Sequence, residues 1–548
     1  MNLLHTTITF IKKNTGKNIV AKVLFLSIPT VLAISIIFSF IPALYQRFYY
    51  PLDLEWMESG ILVHVQRILE GKSLFVEPSV NFIPFAYTPL YYYVTSFFSL
   101  FFGPDYQTAR GVSLISLFAS LFIAFFLFRN QFISRQYRKN LFSFFTVIIF
   151  LGLLLSNFIF SGSWLDLARV DTLFLFLLLT SFYFTAEKKS ISSAVIAGAL
   201  ISMAFWTKQT AFPFIIITGG WLLFVSRRRF AVYTAIIALL CGFGVLLWNY
   251  YSDNWLWFYI RKIHQNHSFD KNIFLNDTPL LLLKREYWLW LSGIASASII
   301  IFFKRSGSVS KFIFWWIISF TSIIVSCLGM ATQWAHTNAL LPGIFFPPLV
   351  ILLTLLSSLE HLNICGISLS HFSDTPARNI IFKLKPQIST FLVLLSILLL
   401  SIHLHKHFPS KQELSKITPT RKDYYKAKIT LNRLRRLPSP ILVPYHPWYA
   451  VLAGSKAHFH LHALNDITAA GKPYPQDLVK ALKSGKYKSI VYDRYGSIYH
   501  RQIPGLLKYY KLEYRFGSKY APVFSGNPCG VKYIWIRKNL PEHIHDTN

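Results

Sequence analysis

Apolar runs of roughly 15–20 residues recur along this chain from residue 23 to about 402, the length a helix needs to cross a bilayer. They fall at 23–44, 111–128, 141–160, 170–184, 191–206, 211–225, 230–248, 287–303, 312–330, 339–356 and 388–402. The pattern predicts about eleven transmembrane helices. One further run, TPLYYYVTSFFSLFF (88–102), is bounded by Pro89 and Gly103 and is short for a crossing, so it reads as a helix lying on or dipping into the membrane surface. Between it and the first span lie DLEWMESG, a polar helix at 60–70 and a turn at Gly71, all within a long first outer loop (45–109). After residue 402 no membrane-length run remains. Short strand-like stretches, ILVPY (441–445), KSIVYD (488–493) and VKYIWIRK (531–538), alternate with turns and one helix-like segment, PQDLVKALKSG. The expected architecture is a polytopic α-helical membrane domain (1–404) followed by a small C-terminal α/β domain (405–548).

Composition agrees: 53% of the 548 residues are hydrophobic and only 14% are charged, which excludes a soluble multidomain chain. Charge placement adds sidedness. Alternate loops carry basic clusters, at Lys12/Lys13, Arg129/Arg135, Lys188/Lys189, Arg227/Arg228/Arg229, Lys304/Arg305 and Arg378/Lys383. The positive-inside rule puts these loops and the N-terminus in the cytoplasm. Counting 88–102 as a span would break that alternation. The opposite loops, rich in Asp, Asn, His and Trp, then face out, and an odd number of spans carries the C-terminal domain out with them. That domain holds roughly two dozen Lys and Arg against fewer than ten acids, a balance suited to phosphate-bearing lipid or glycan as well as to a generic basic surface. Nucleic acid is excluded as a partner by compartment. The start of the chain reads as a retained first helix, and the scattered Cys241, Cys327, Cys365 and Cys529 predict neither a disulfide framework nor a zinc site.

Acids are scarce, 23 against 55 Lys plus Arg, so their grouping is informative. Asp53, Glu55 and Glu58 lie just beyond the first span. Glu55 and Glu58, three apart, share a face if helical. A carboxylate there could act as general base on a hydroxyl, with a solvated loop acid as the plainer alternative. Asp166, Arg169 and Asp171 sit where the third span exits and the fourth begins. Arg169 suits a phosphate because its fork binds oxygens in pairs. Asp166 and Asp171 could hold a divalent cation, or Arg169 could simply pair with an Asp. Lys208 could meet a lipid phosphate or snorkel. His264, His267 and His336 lie in polar outer loops, where hydrogen bonding to a sugar or headgroup is a better expectation than a metal site. The sequence holds no Walker loop, dinucleotide fingerprint or serine nucleophile elbow.

The order of these features resembles that of GT-C-type integral membrane glycosyltransferases, the bacterial relatives of protein O-mannosyltransferases and of the lipid A aminoarabinose transferase. The resemblance runs over residues 25–360. It rests on the acid-bearing first loop, RILEGKSLF, AYTPLYYY, FFGPD, ARGVSLI, ARVDTL, KQTAFP and TNALLPGIFFP. Glu58-Ser59 falls where such proteins have an acid followed by Gly, and Met57 stands where their Asp is usual, so Glu55 or Asp53 could substitute as base. The resemblance implies an inverting transfer of a sugar from a polyprenyl phosphate to a hydroxyl of an extracytoplasmic acceptor. A first-loop carboxylate would be the base, and Arg169, Lys208 or a divalent metal would stabilise the leaving phosphate. A lipid-linked sugar transporter or flippase, or a glycan polymerase or ligase, is the alternative. A transporter should place its polar groups at the bilayer midplane in repeated halves, and none is seen.

Overall fold

A computed structural model describes residues 17–131, 136–303, 309–368, 376–493, 503, 505–526 and 529–538. Lys12, Lys13, Arg135, Lys304 and Arg305 lie outside the described residues, as do the side chains of Arg378, Lys383 and Cys365. In chain order the principal helices up to residue 406 are α1 (Lys17–Tyr49), α2 (Glu58–Leu69), α3 (Leu90–Phe102), α4 (Tyr106–Arg129), α5 (Gln136–Ser156), α6 (Asp171–Glu187), α7 (Ile191–Thr207), α8 (Phe212–Val225), α9 (Arg227–Tyr251), α10 (Thr278–Phe303), α11 (Val309–Met330), α12 (Leu341–Ser368) and α13 (Pro376–Lys406). The eleven predicted runs map onto α1 and α4 to α13, and the surface helix onto α3. Seven described helices are long and apolar enough to cross a membrane by length and composition alone. Helices α3, α7 and α8 are shorter apolar helices. Helix α6 has 17 residues, and the first half of α10 carries Lys284, Arg285 and Glu286, so neither meets that criterion.

Local chemistry sets the boundaries. Asp105 caps α4 by accepting from Thr108 N at 2.7 Å, and Ser190 and Ser226 cap α7 and α9 in the same way. Gly103 ends α3 at φ 86°. Inside the helices, Ser116, Ser120, Thr146 and Thr180 return their hydroxyls to the carbonyl four residues back, which satisfies these groups in apolar surroundings. Helix α12 is buried nearly all round and forms the centre of the bundle. Helix α9 instead turns Leu239, Phe243, Leu246 and Leu247 outward, a lipid-facing apolar surface.

Beyond α13 a four-stranded sheet forms from β1 (Ile441–Leu442), β2 (Ser489–Tyr492), β3 (Tyr510–Arg515) and β4 (Tyr533–Arg537) in the order β1-β2-β4-β3. The β1–β2 pair is parallel and the other two pairs are antiparallel. Three of these strands match the sequence expectation. Strand β3, whose YKLEYR is largely polar and half exposed, was not expected. This C-terminal region packs on the first loop. Phe524 N and Ser525 N both donate to Leu54 O, and Asp477 accepts from Val80 N. Asp53 pairs with His446 Nδ1 at 2.6 Å. Both acidic clusters and the C-terminal region therefore sit at one end of the bundle.

Candidate active site

Two of the predicted acids are sealed. Glu58 is fully buried and paired with Arg110, receiving Nη2 at 2.7 Å and Nε at 3.0 Å, and it also accepts from Leu54 N and Ala168 N. Burial would raise its carboxyl, but Arg110 and those amides outweigh it and hold the group below the usual carboxylate range. Arg110 spends its other N–H groups on the carbonyls of Arg47, Tyr50 and Leu52, which closes the turn leaving α1. Asp166 is held in the same way by Arg47, at 2.6 and 2.9 Å. Arg47 also reaches Ser163 O, Ile417 O and Ser525 Oγ, so one guanidinium ties α1, the 157–170 connection and the C-terminal region together. Gly162 (φ 76°) admits this packing, since a Cβ there would lie 2.3 Å from Thr337 Oγ1.

Glu55 has a different setting. It lines a cavity of about 630 Å³ together with Arg169 and Lys208. The walls come from the first loop (Trp56, Tyr87), the 157–170 connection (Trp164), the chain after α9 (His264, His267), the turn before α12 (His336, Asn338) and the C-terminal region (His462, Asp466). Glu55 accepts from Arg169 Nη1 at 3.0 Å, and Tyr87 accepts from Arg169 Nη2 at 3.3 Å. No further N–H of Arg169 finds an acceptor among the described residues. The guanidinium rests over Trp164, 4.9 Å from the ring centroid. Lys208 donates to Asp171 at 2.7 Å and is 12% exposed, so it is an ion-paired wall residue, not a snorkelling lysine. Burial pushes the Glu55 carboxyl up to about 8, although Arg169 pulls it down. Gly526 (φ 67°) closes over this acid so tightly that a Cβ would lie 3.0 Å from Glu55 Cγ.

The sequence expectations divide accordingly. Glu55, Arg169 and Lys208 meet in the cavity. Glu58 and Asp166 do not line it, and Asp53 is consumed by His446 and by Ser59 Oγ at 2.8 Å. Arg169 and Asp171 do not pair with each other. The donor set does not fit a divalent metal: Asp166 and Asp171 are each committed to a different cation, and no group of three or more His, Cys, Asp or Glu in metal-holding geometry occurs among the described residues. His264 is turned to the Ala86 carbonyl, with Nε2 2.8 Å from it. Sequence reading missed the contributions of Arg47, Arg110, His446, His462 and Asp466. The run HFHLHALND, with His458, His460 and His462 on alternate positions, was a legible signal for the last two.

A helical bundle of this topology, with an acid-bearing first loop roofed by a C-terminal α/β region, is the fold of GT-C-type integral membrane glycosyltransferases, and the chain is a multi-pass membrane protein of that fold. Two solved structures of ArnT from Cupriavidus metallidurans match along almost the whole chain. The form bound to undecaprenyl phosphate gives a TM-score of 0.54 at 13% identity, covering 93% of this chain and 97% of that one. The apo form gives 0.52 at 12% identity, covering 92% and 97%. At such identity the likeness establishes the fold. No family model matches the chain, and no curated protein does.

Proposed function

We propose that this protein is an inverting glycosyltransferase that moves a sugar from a polyprenyl phosphate to a hydroxyl of an extracytoplasmic acceptor. The observation that carries the reading is the meeting of Glu55, Arg169 and Lys208 in one cavity at the end of the bundle. A raised but ionisable carboxyl stands beside Arg169 there, with Lys208 in the same lining, and a fold neighbour is bound to undecaprenyl phosphate. The basic alternate loops favour a cavity facing away from the cytoplasm, with the region after residue 404 as a separate outer domain.

In this reading the donor phosphate meets Arg169 and Lys208, whose guanidinium and ammonium bind its oxygens. Glu55, not Glu58, takes the proton of the acceptor hydroxyl. The hydroxyl oxygen forms its bond to the anomeric carbon as the bond from that carbon to the phosphate oxygen breaks. The polyprenyl phosphate leaves with the electron pair, and its charge is stabilised by the two cations. Attack opposite the leaving group inverts the configuration. Glu58 and Asp166 act at a distance by fixing the loop that presents Glu55. The test is donor choice. Purified protein in nanodiscs should transfer sugar from undecaprenyl phosphate sugars and not from nucleotide sugars, and transfer from nucleotide sugars alone would overturn the proposal.

A further inference from the structure

The cavity lining holds two chemically distinct groups of side chains. Arg169 and Lys208 form the cationic one. In the other, Asp466 of the C-terminal helix Leu461–Ala469 stands with His462 Nε2 at 3.4 Å and His267 Nε2 at 3.9 Å. All three line the cavity. Asp466 is 96% buried, yet its Oδ1 has no hydrogen-bond partner, and neither has His267 Nε2. Of the acids in the two sequence clusters, Glu55, Glu58, Asp166 and Asp171 are each paired with an Arg or Lys, and Asp53 is held by His446. Asp466 faces only imidazoles. A buried carboxyl group with an open lone pair, beside an imidazole nitrogen with an open position, is destabilising unless a ligand completes it. The burden falls at a place where His462 is also locked, its ring 5.4 Å from that of Trp56, next to the proposed base.

We infer that Asp466, His462 and His267 form the sugar-recognition group of this cavity, binding ring hydroxyls of the transferred glycosyl group while Arg169 and Lys208 hold its phosphate. The assignment rests on the transferase reading above and adds which residues read the sugar. A carboxyl and two imidazoles offer acceptors and donors at hydroxyl spacing, and they offer no fixed positive charge to compete for the phosphate. Burial lowers both imidazoles, so they are neutral near pH 7, and raises the Asp466 carboxyl to about 7, so it is shared between its acid and carboxylate forms there; the trio then offers both donors and acceptors to a polyhydroxyl ligand. The C-terminal region thereby becomes a part of the substrate site. These residues are positioning and specificity groups, not proton acceptors in the transfer.

The experiment compares two lipids on the full-length protein in detergent or nanodiscs. One is undecaprenyl phosphate alone, and the other is undecaprenyl phosphate bearing glucose, mannose or arabinose. The wild type should bind at least one of the sugar-bearing lipids about tenfold or more tightly than the bare lipid. Asp466→Asn and His462→Gln should erase that preference while bare-lipid affinity stays within about twofold and the melting temperature is kept. Arg169→Ala should weaken both lipids alike. The inference is overturned if Asp466→Asn keeps the preference, if it weakens both lipids equally, or if the wild type binds no sugar-bearing lipid better than the bare one. Binding of neither lipid form by the wild type would overturn the transferase reading, and this assignment with it.

Discussion

Glu55 and Glu58 stand three residues apart in one loop, each beside an arginine, and the structure gives them opposite fates. Around Glu58 every valence is used: two bonds from Arg110 and two from backbone amides, with Arg110 itself saturated by carbonyls. Around Glu55 the bonding is incomplete: Arg169 Nη1 and Met57 N both donate to Oε2, and the carboxyl lines a cavity. A saturated buried pair is a fastener, because nothing is left to bind a ligand and opening it strands a charge. An unsaturated pair on a cavity can exchange partners with a substrate. Satisfaction of hydrogen bonds, more than residue type or loop position, separates scaffold from chemistry here.

Four measurements bear on that comparison. The largest effect should come from Arg110→Ala, which leaves Glu58 buried and unpaired and costs on the order of 3–5 kcal/mol, enough to remove folded protein from expression and thermal-melt assays. Glu58→Gln should lower the melting temperature as well. A stable Glu58→Gln protein with no turnover would erase the distinction and restore Glu58 as the base. Next in size, Glu55→Gln should cut turnover by about 10²–10⁴-fold while the melting temperature and donor affinity hold. Arg169→Ala should weaken donor binding by about 10–100-fold, as loss of a charge-assisted contact to phosphate implies, with a smaller loss for Lys208→Ala. The mildest probe is pH. Glu55 works as the carboxylate and its burial lifts the carboxyl to about 8, so turnover should rise with pH through that value and level off above it. Below it the group is increasingly protonated and the rate should fall toward tenfold per unit. A profile flat across the neutral range would mean that another group is the base.

Much of the molecule was legible beforehand because the signals are local. Hydropathy located α1 and α4 to α13, and Pro89 and Gly103 marked the ends of the short apolar helix α3. Strand β3 escaped because its alternation is weak and it pairs only through β4, a partner set by the fold. The site was half legible. Scarce acids flagged the two clusters, and the loop order flagged Arg169 and Lys208. Within the first loop the sequence put Glu58 ahead of Glu55, whereas the structure seals Glu58 with Arg110 and sets Glu55 on the cavity. No spacing rule could correct that order, because Arg110 lies 52 residues from Glu58 and Arg169 lies 114 from Glu55.

The chain by itself determined that it lives in a membrane and where its apolar helices fall, because both follow from transfer free energies summed over short windows. Only the tertiary structure decided which carboxylate is sealed and which lines the cavity, and that Asp466 and His462, some four hundred residues further on, line the same cavity. Those outcomes depend on who reaches whom across the fold, and a buried charge takes its chemistry from its neighbours in space.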